Sequence, residues 1–157
     1  MMRTLVAYYS HSGNTRYLAE LIARETGGTL LELMPTMPYP QEEDALLDQV
    51  REEVRAGFCP PLIGKLPALE DCDTLFIGTP NWCGGMAPPV RSFLSQGDFT
   101  GKRVAPFCTH GGGGAGQIRQ DMARLCRNAV ILSELSVYEH TAIPRVIQKW
   151  LRLIQFL

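Results

Sequence analysis

Val6-Ala-Tyr-Tyr-Ser-His-Ser-Gly-Asn-Thr-Arg16 joins an apolar run to a small polar loop and then to a helix-patterned segment without a break. Ser10, Ser12 and Thr15 supply hydroxyls, and Gly13 lets the backbone come close to a ligand. A helix beginning near Asn14 aims its first amides and the positive end of its dipole at the same point. Amides and hydroxyls satisfy a phosphate monoester without a lysine, so a phosphate-bearing ligand is the first functional expectation. The plainer reading is a strand-to-helix turn capped by Ser12 or Asn14. His11 reads either as a ligand contact or as a solvated loop residue, and Arg16 either as a helper of phosphate charge or as a solvent-facing one.

Working outward, strand and helix alternate to the end of the chain. Residues 4–9 read as a strand buried on both faces. Leu18, Leu21, Ile22 and Glu25 follow at helical spacing, and Gly27-Gly28 stops that helix. A second strand spans 29–34. Beyond the prolines at 35, 38 and 40, Leu46, Leu47, Val50 and Val54 mark a one-sided helix ending at Gly57. Residues 58–67 are Pro- and Gly-rich and read as irregular. Thr74–Gly78 is the third strand, and Pro88-Pro89 opens a short helix. Residues 103–109 form a fourth strand, in which Pro106 is awkward because it donates no ladder bond. Ile118, Met122, Leu125 and Cys126 mark a helix, 130–138 a fifth strand bulged near Ser133, and Val146, Ile147, Trp150, Leu151 and Ile154 a closing amphipathic helix. Five such units predict an α/β fold: one domain over 1–157, a doubly wound five-stranded parallel sheet of order 2-1-3-4-5, with helices on both faces.

Two further loops stand at carboxyl ends of strands. Thr79-Pro-Asn-Trp-Cys-Gly-Gly-Met-Ala-Pro-Pro89 holds Trp82 on a stiff segment, as a platform for a flat aromatic ligand or as a lid folded back over the core. Within it Cys83 reads as a small packing residue rather than a reactive thiol. Thr109-His-Gly-Gly-Gly-Gly-Ala-Gly116 is costly in backbone entropy, and lets amides approach a ligand edge unless it is a flexible surface loop. In the order 2-1-3-4-5 the three loops border one crevice where strand order reverses. Tyr39, after the second strand, reads either as a side cover for the ligand or, more plainly, as a surface turn residue.

These residues resemble the flavodoxin-like FMN-binding proteins over almost the whole chain. Val6, Tyr8, Ser10, Gly13, Thr15, Ala19 and Ile22 fall at the spacing of the flavodoxin signature, with Ala7 the single departure. Residues 77–84 and 101–112 are similar to the second and third flavin loops of a short bacterial branch, where a proline in the fourth strand is familiar. The resemblance implies that Ser10, His11, Ser12, Gly13, Asn14 and Thr15 hold the FMN phosphate. It implies that Thr79, Pro80, Asn81, Trp82 and Cys83 line the ring, and that Thr109, His110, Gly111, Gly112 and Gly113 meet its far edge. Many flavodoxins stack an aromatic from the third loop on the outer ring face, whereas only His110 is offered here, which leaves that face open to an acceptor. Flavodoxins also tend to be acidic near the ring. Neither Thr79–Pro89 nor Thr109–Gly116 contains Asp or Glu, so a less negative potential is expected.

The bulk properties agree. The chain has 157 residues, 45% hydrophobic, with a net charge of −1, which offers no case for nucleic acid or an anionic membrane as partner. Five cysteines without metal-type spacing fit a reducing, cytoplasmic setting, and no apolar run is long enough to span a bilayer. The expectation is an FMN-dependent redox protein, monomer or homodimer, serving a redox partner protein or a small acceptor such as a quinone. No nicotinamide G-x-G-x-x-G fingerprint follows the first strand. The alternative is a flavin-free binding or regulatory module on the same fold. A receiver-type acidic end to strand 1, a Walker lysine and a phosphatase cysteine are each missing from the first loop.

Overall fold

The computed structural model describes residues 3–157. Its strands are β1 (Arg3–Tyr8), β2 (Thr29–Glu32), β3 (Cys72–Trp82), β4 (Gly85–Met86), β5 (Arg103–His110), β6 (Val130–Ile131) and β7 (Leu135–Tyr138). Its helices are α1 (Asn14–Thr26), α2 (Glu43–Ala56), α3 (Pro88–Gln96), α4 (Ile118–Leu125) and α5 (Pro144–Leu153). The parallel sheet runs β2-β1-β3-β5, with β6 and β7 sharing the fifth place. This is the doubly wound order expected from the alternating pattern. Period-2 alternation in β1 sends Leu5 and Ala7 into one core and Val6 and Tyr8 into the other. The first core takes Val50, Phe93, Ile118 and Met122 from α2, α3 and α4, and the second takes Leu18, Ile22, Ile147 and Trp150 from α1 and α5. Both faces of the sheet are therefore covered, as apolar parallel strands require.

Two elements differ from the expectation. The third strand does not end at Gly78 but continues to Trp82 and turns back through β4, pairing Asn81 with Met86 and Trp82 with Gly85. The two-residue turn, Cys83-Gly84, has φ of 54° and 81°, the double positive φ of a type I′ hairpin. Half of the second loop is thus strand, and Cys83 is an exposed turn residue, not a packing one.

The fifth strand is broken at residues 132–134, and Pro106 explains the break. Val130 N–H bonds to Lys102 O and Leu132 N–H to Val104 O, each at 2.8 Å. On that alternation the next donor, toward Leu132 O, is residue 106, which as proline has no N–H. The Arg119 guanidinium takes its place, donating Nε–H to Leu132 O at 3.0 Å and a second N–H to Ile131 O at 2.7 Å. Trp150 Nε1–H caps Ser133 O at 2.9 Å. The proline therefore sits in an interior strand at the one place where side chains stand in for its missing donor.

Candidate functional site

The carboxyl ends of β1, β3 and β5 bring the three singled-out segments together. Ser10–Thr15 leaves β1 and enters α1 through Gly13, whose φ of 97° is left-handed and favours glycine. No side chain caps α1, so neither Ser12 nor Asn14 serves as the expected cap. Tyr17 is the first residue of the helix to donate, to Gly13 O at 3.0 Å, which leaves the amides of Asn14, Thr15 and Arg16 ahead of the helical ladder. Ser10 Oγ accepts from Gly13 N–H at 3.1 Å and closes the loop. Ser12 is exposed, and Asn14 is half-buried. Arg16 is exposed and lies 3.9 Å from Glu20, pointing along the helix surface.

The three segments are tied by side chains rather than merely adjacent. Thr15 Oγ1 and Thr109 Oγ1 are 2.7 Å apart and buried. Asn81 Nδ2–H donates to Gly114 O at 2.6 Å, while its Oδ1 accepts from Gly84 N–H at 2.9 Å. Gln117 N–H reaches Gly84 O at 2.8 Å. At Gly116 a Cβ would stand 2.4 Å from Gly84 O, so only glycine permits the approach. Asn81, expected at the ring, is thus a brace between the hairpin turn and the glycine run, with both ends of its side-chain amide engaged inside the protein.

The glycine run itself is open. Gly111, Gly112 and Gly113 are exposed, and a Cβ at Gly111 or Gly112 would meet nothing within 4 Å. His110 is half-buried; its Nδ1 accepts from Gly112 N–H at 2.9 Å, which in the neutral ring places the proton on Nε2. Its ring lies 6.0 Å from that of Tyr138, edge-on. Thr79, fully buried, donates its hydroxyl to Pro80 O and accepts from Ala87 N–H, each at 2.8 Å, fastening the root of the hairpin.

Trp82 is half-buried against an aromatic group that the sequence did not reveal. Its ring centroid lies 5.3 Å from Tyr9, 5.0 Å from Tyr39 and 5.8 Å from His11, all edge-to-face. Tyr39 is buried, not on a surface turn, and its hydroxyl donates to Glu53 Oε1 at 2.5 Å. Burial, with that hydrogen bond and the Glu53 charge, pushes the Tyr39 phenol well above its ordinary range, and burial, then Glu53, does the same at Tyr9. His11 is half-buried and donates Nε2–H to Pro40 O at 3.0 Å, so it is not a freely solvated loop residue. Tyr9, directly after β1, was the missed member. The only signal for it was an aromatic at the carboxyl end of a buried strand.

The donor set fits a phosphate monoester carried on a flat polar ring. Free helix amides and small hydroxyls stand at one end; an open glycine backbone and an indole stand at the other. No group of three or more metal-ligating side chains is present among the described residues. No helix among them is long and apolar enough to cross a membrane.

A family model described as flavodoxin matches residues 3–154. Among curated proteins, the NAD(P)H dehydrogenase (quinone) of Trichlorobacter lovleyi is 29% identical over 126 residues, covering 71% of this chain and 61% of that protein. The chain thus spans about three fifths of the length of the curated relatives it matches. Among solved structures, a provisionally assigned flavoprotein of Bacteroides uniformis has a TM-score of 0.84 at 26% identity, covering 96% of this chain and 98% of that one. A flavoprotein of Lactobacillus acidophilus, solved in complex with FMN, has a TM-score of 0.74 at 21% identity, covering 96% and 99%.

Proposed function

Because the chain belongs to the flavodoxin family, we propose that it binds FMN and transfers electrons through it. The carrying observation is that the uncapped start of α1, the hairpin and the glycine run are bonded to one another as one site. The amides of Asn14, Thr15 and Arg16, with the Ser10 and Ser12 hydroxyls, would hold the phosphate through neutral dipoles. The hairpin from Thr79 to Cys83 and the backbone of Thr109 to Gly113 would hold the ring. FMN supplies the redox chemistry when bound, and the chain supplies binding, orientation and electrostatics. Bracing by Asn81 keeps the ring segments pre-formed, so less ordering cost is incurred on binding.

A second reading, reduction of a small quinone-type acceptor, is favoured by the exposed, side-chain-free Gly111–Gly113 run. The names of the matched relatives agree with it. On this reading the Nε2–H of His110 faces the acceptor side as a hydrogen-bond donor. The visible spectrum of the purified protein with added FMN tests the first reading: shifted flavin bands are expected, and an unchanged free-FMN spectrum sinks it. Steady-state turnover of NADH or NADPH with a benzoquinone then separates a reductase from a carrier that needs a protein partner.

A further inference from the structure

The Thr15 and Thr109 hydroxyls meet at 2.7 Å although 94 residues separate them in the chain. Thr15 stands in the first turn of α1 beside the unpartnered amides, and Thr109 is the penultimate residue of β5, next to His110. They are 1% and 3% exposed. Each hydroxyl brings one hydrogen and two lone pairs. The pair uses one hydrogen, and among the described residues neither oxygen has another side-chain or backbone partner. Helical hydroxyls elsewhere find a carbonyl acceptor: Thr26 donates to Ile22 O on the preceding turn at 2.8 Å, and Ser92 donates across to Pro60 O at 2.6 Å. Thr15 makes no such bond. One O–H is thus left without an acceptor in a buried place, where an unmet donor is costly.

An anion at the start of α1 is the acceptor this arrangement lacks. We propose that Thr109 is a positioning residue for the phosphate: its hydroxyl donates to Thr15 Oγ1 and so turns the Thr15 O–H toward the phosphate oxygens. The proposal rests on the FMN reading and goes beyond it. A residue of the ring-binding segment acts on the opposite end of the ligand, by fixing the direction of a proton. Polarisation along the two hydroxyls strengthens the terminal bond to a charged acceptor.

Riboflavin, which has the ring and side chain of FMN but no phosphate, separates this role from a merely structural one. FMN and riboflavin would be titrated into the wild type, Thr109→Val and Thr109→Ser, following flavin fluorescence, with thermal melts as a folding control. The valine variant keeps the shape and removes the hydroxyl. It should lose about tenfold in FMN affinity and distinctly less in riboflavin affinity, and the serine variant should restore FMN binding. Thr109→Ala, which adds no atoms, serves the same comparison if the valine variant does not fold. Equal loss for both ligands, or undiminished FMN affinity, overturns the relay while leaving the FMN reading intact. A wild type that takes up neither flavin overturns the FMN reading itself.

Discussion

Gly78 shows how closely single residues control the sheet beneath the site. A Cβ there would stand 2.1 Å from Phe107 Cε2, and Phe107 is itself fully buried between β5 and the α1–α5 layer. Gly78→Ala is expected to destabilise by about 1–3 kcal/mol or more through overpacking, read as a lower urea midpoint. Shortening the ring with Phe107→Leu in the same chain should return part of that loss, because the two sites share one space. Cysteines divide equally sharply. Cys59 and Cys83 are exposed, whereas Cys72, Cys108 and Cys126 are buried, and burial pushes the Cys126 thiol up to about 12. Iodoacetamide at neutral pH followed by mass spectrometry should label the first two in the native protein and all five only after unfolding.

At the level of elements, the broken fifth strand and the hairpin carry the argument. Arg119→Ala removes the donor that stands in for the missing Pro106 N–H, together with the bond to Ile131 O, leaving Leu132 O unmet. A loss of about 1–3 kcal/mol is expected, whereas Arg124→Ala, which breaks only an exposed pair with Asp121, should stay within about 0.5 kcal/mol. Near the site, Asp121 Oδ2 lies 3.6 Å from where a Gly85 Cβ would be, while the other oxygen of that carboxylate, Oδ1, accepts from Arg124 at 2.9 Å. With no acidic residue on the hairpin or the glycine run themselves, potentiometric titration with FMN bound should give a less negative potential for full reduction than acidic flavodoxins have. A strongly negative value would contradict the charge argument. The order of elements and the three segments at their ends were legible from apolar runs, helical spacing and glycine stops. The continuation of β3 to Trp82 was not, because it depends on pairing with Gly85–Met86 and on bracing from Gly114, contacts absent from local pattern. Tyr39 was misplaced for the same reason: its burial is created by Trp82 and by Glu53, one from another strand and one from α2.

Over the whole molecule, five buried acids of high pKa among the described residues favour folding in their neutral forms. Tyr8, Tyr9, Tyr39, Cys108 and Cys126 all lie above their ordinary values of 10.0 and 9.0, each mainly through desolvation. A raised folded-state pKa leaves its stabilisation complete below the unfolded value and removes it as pH climbs toward the folded one. The denaturant midpoint should therefore be insensitive to these groups up to about pH 9 and fall steadily from there to about pH 12. A midpoint that stays flat across that interval would show that the five groups ionise as easily folded as unfolded. The strand interruption also acts at this scale. A long outer strand displays a continuous row of open donors and acceptors on which another chain can lay a strand of its own. Here one border of the sheet is β2, four residues long, and the other is split into pieces of two and four. With the Arg119 guanidinium occupying Ile131 O, neither border offers a run long enough to template fibril-like stacking. The proline that weakens the ladder locally thus guards the crowded protein against strand-by-strand aggregation.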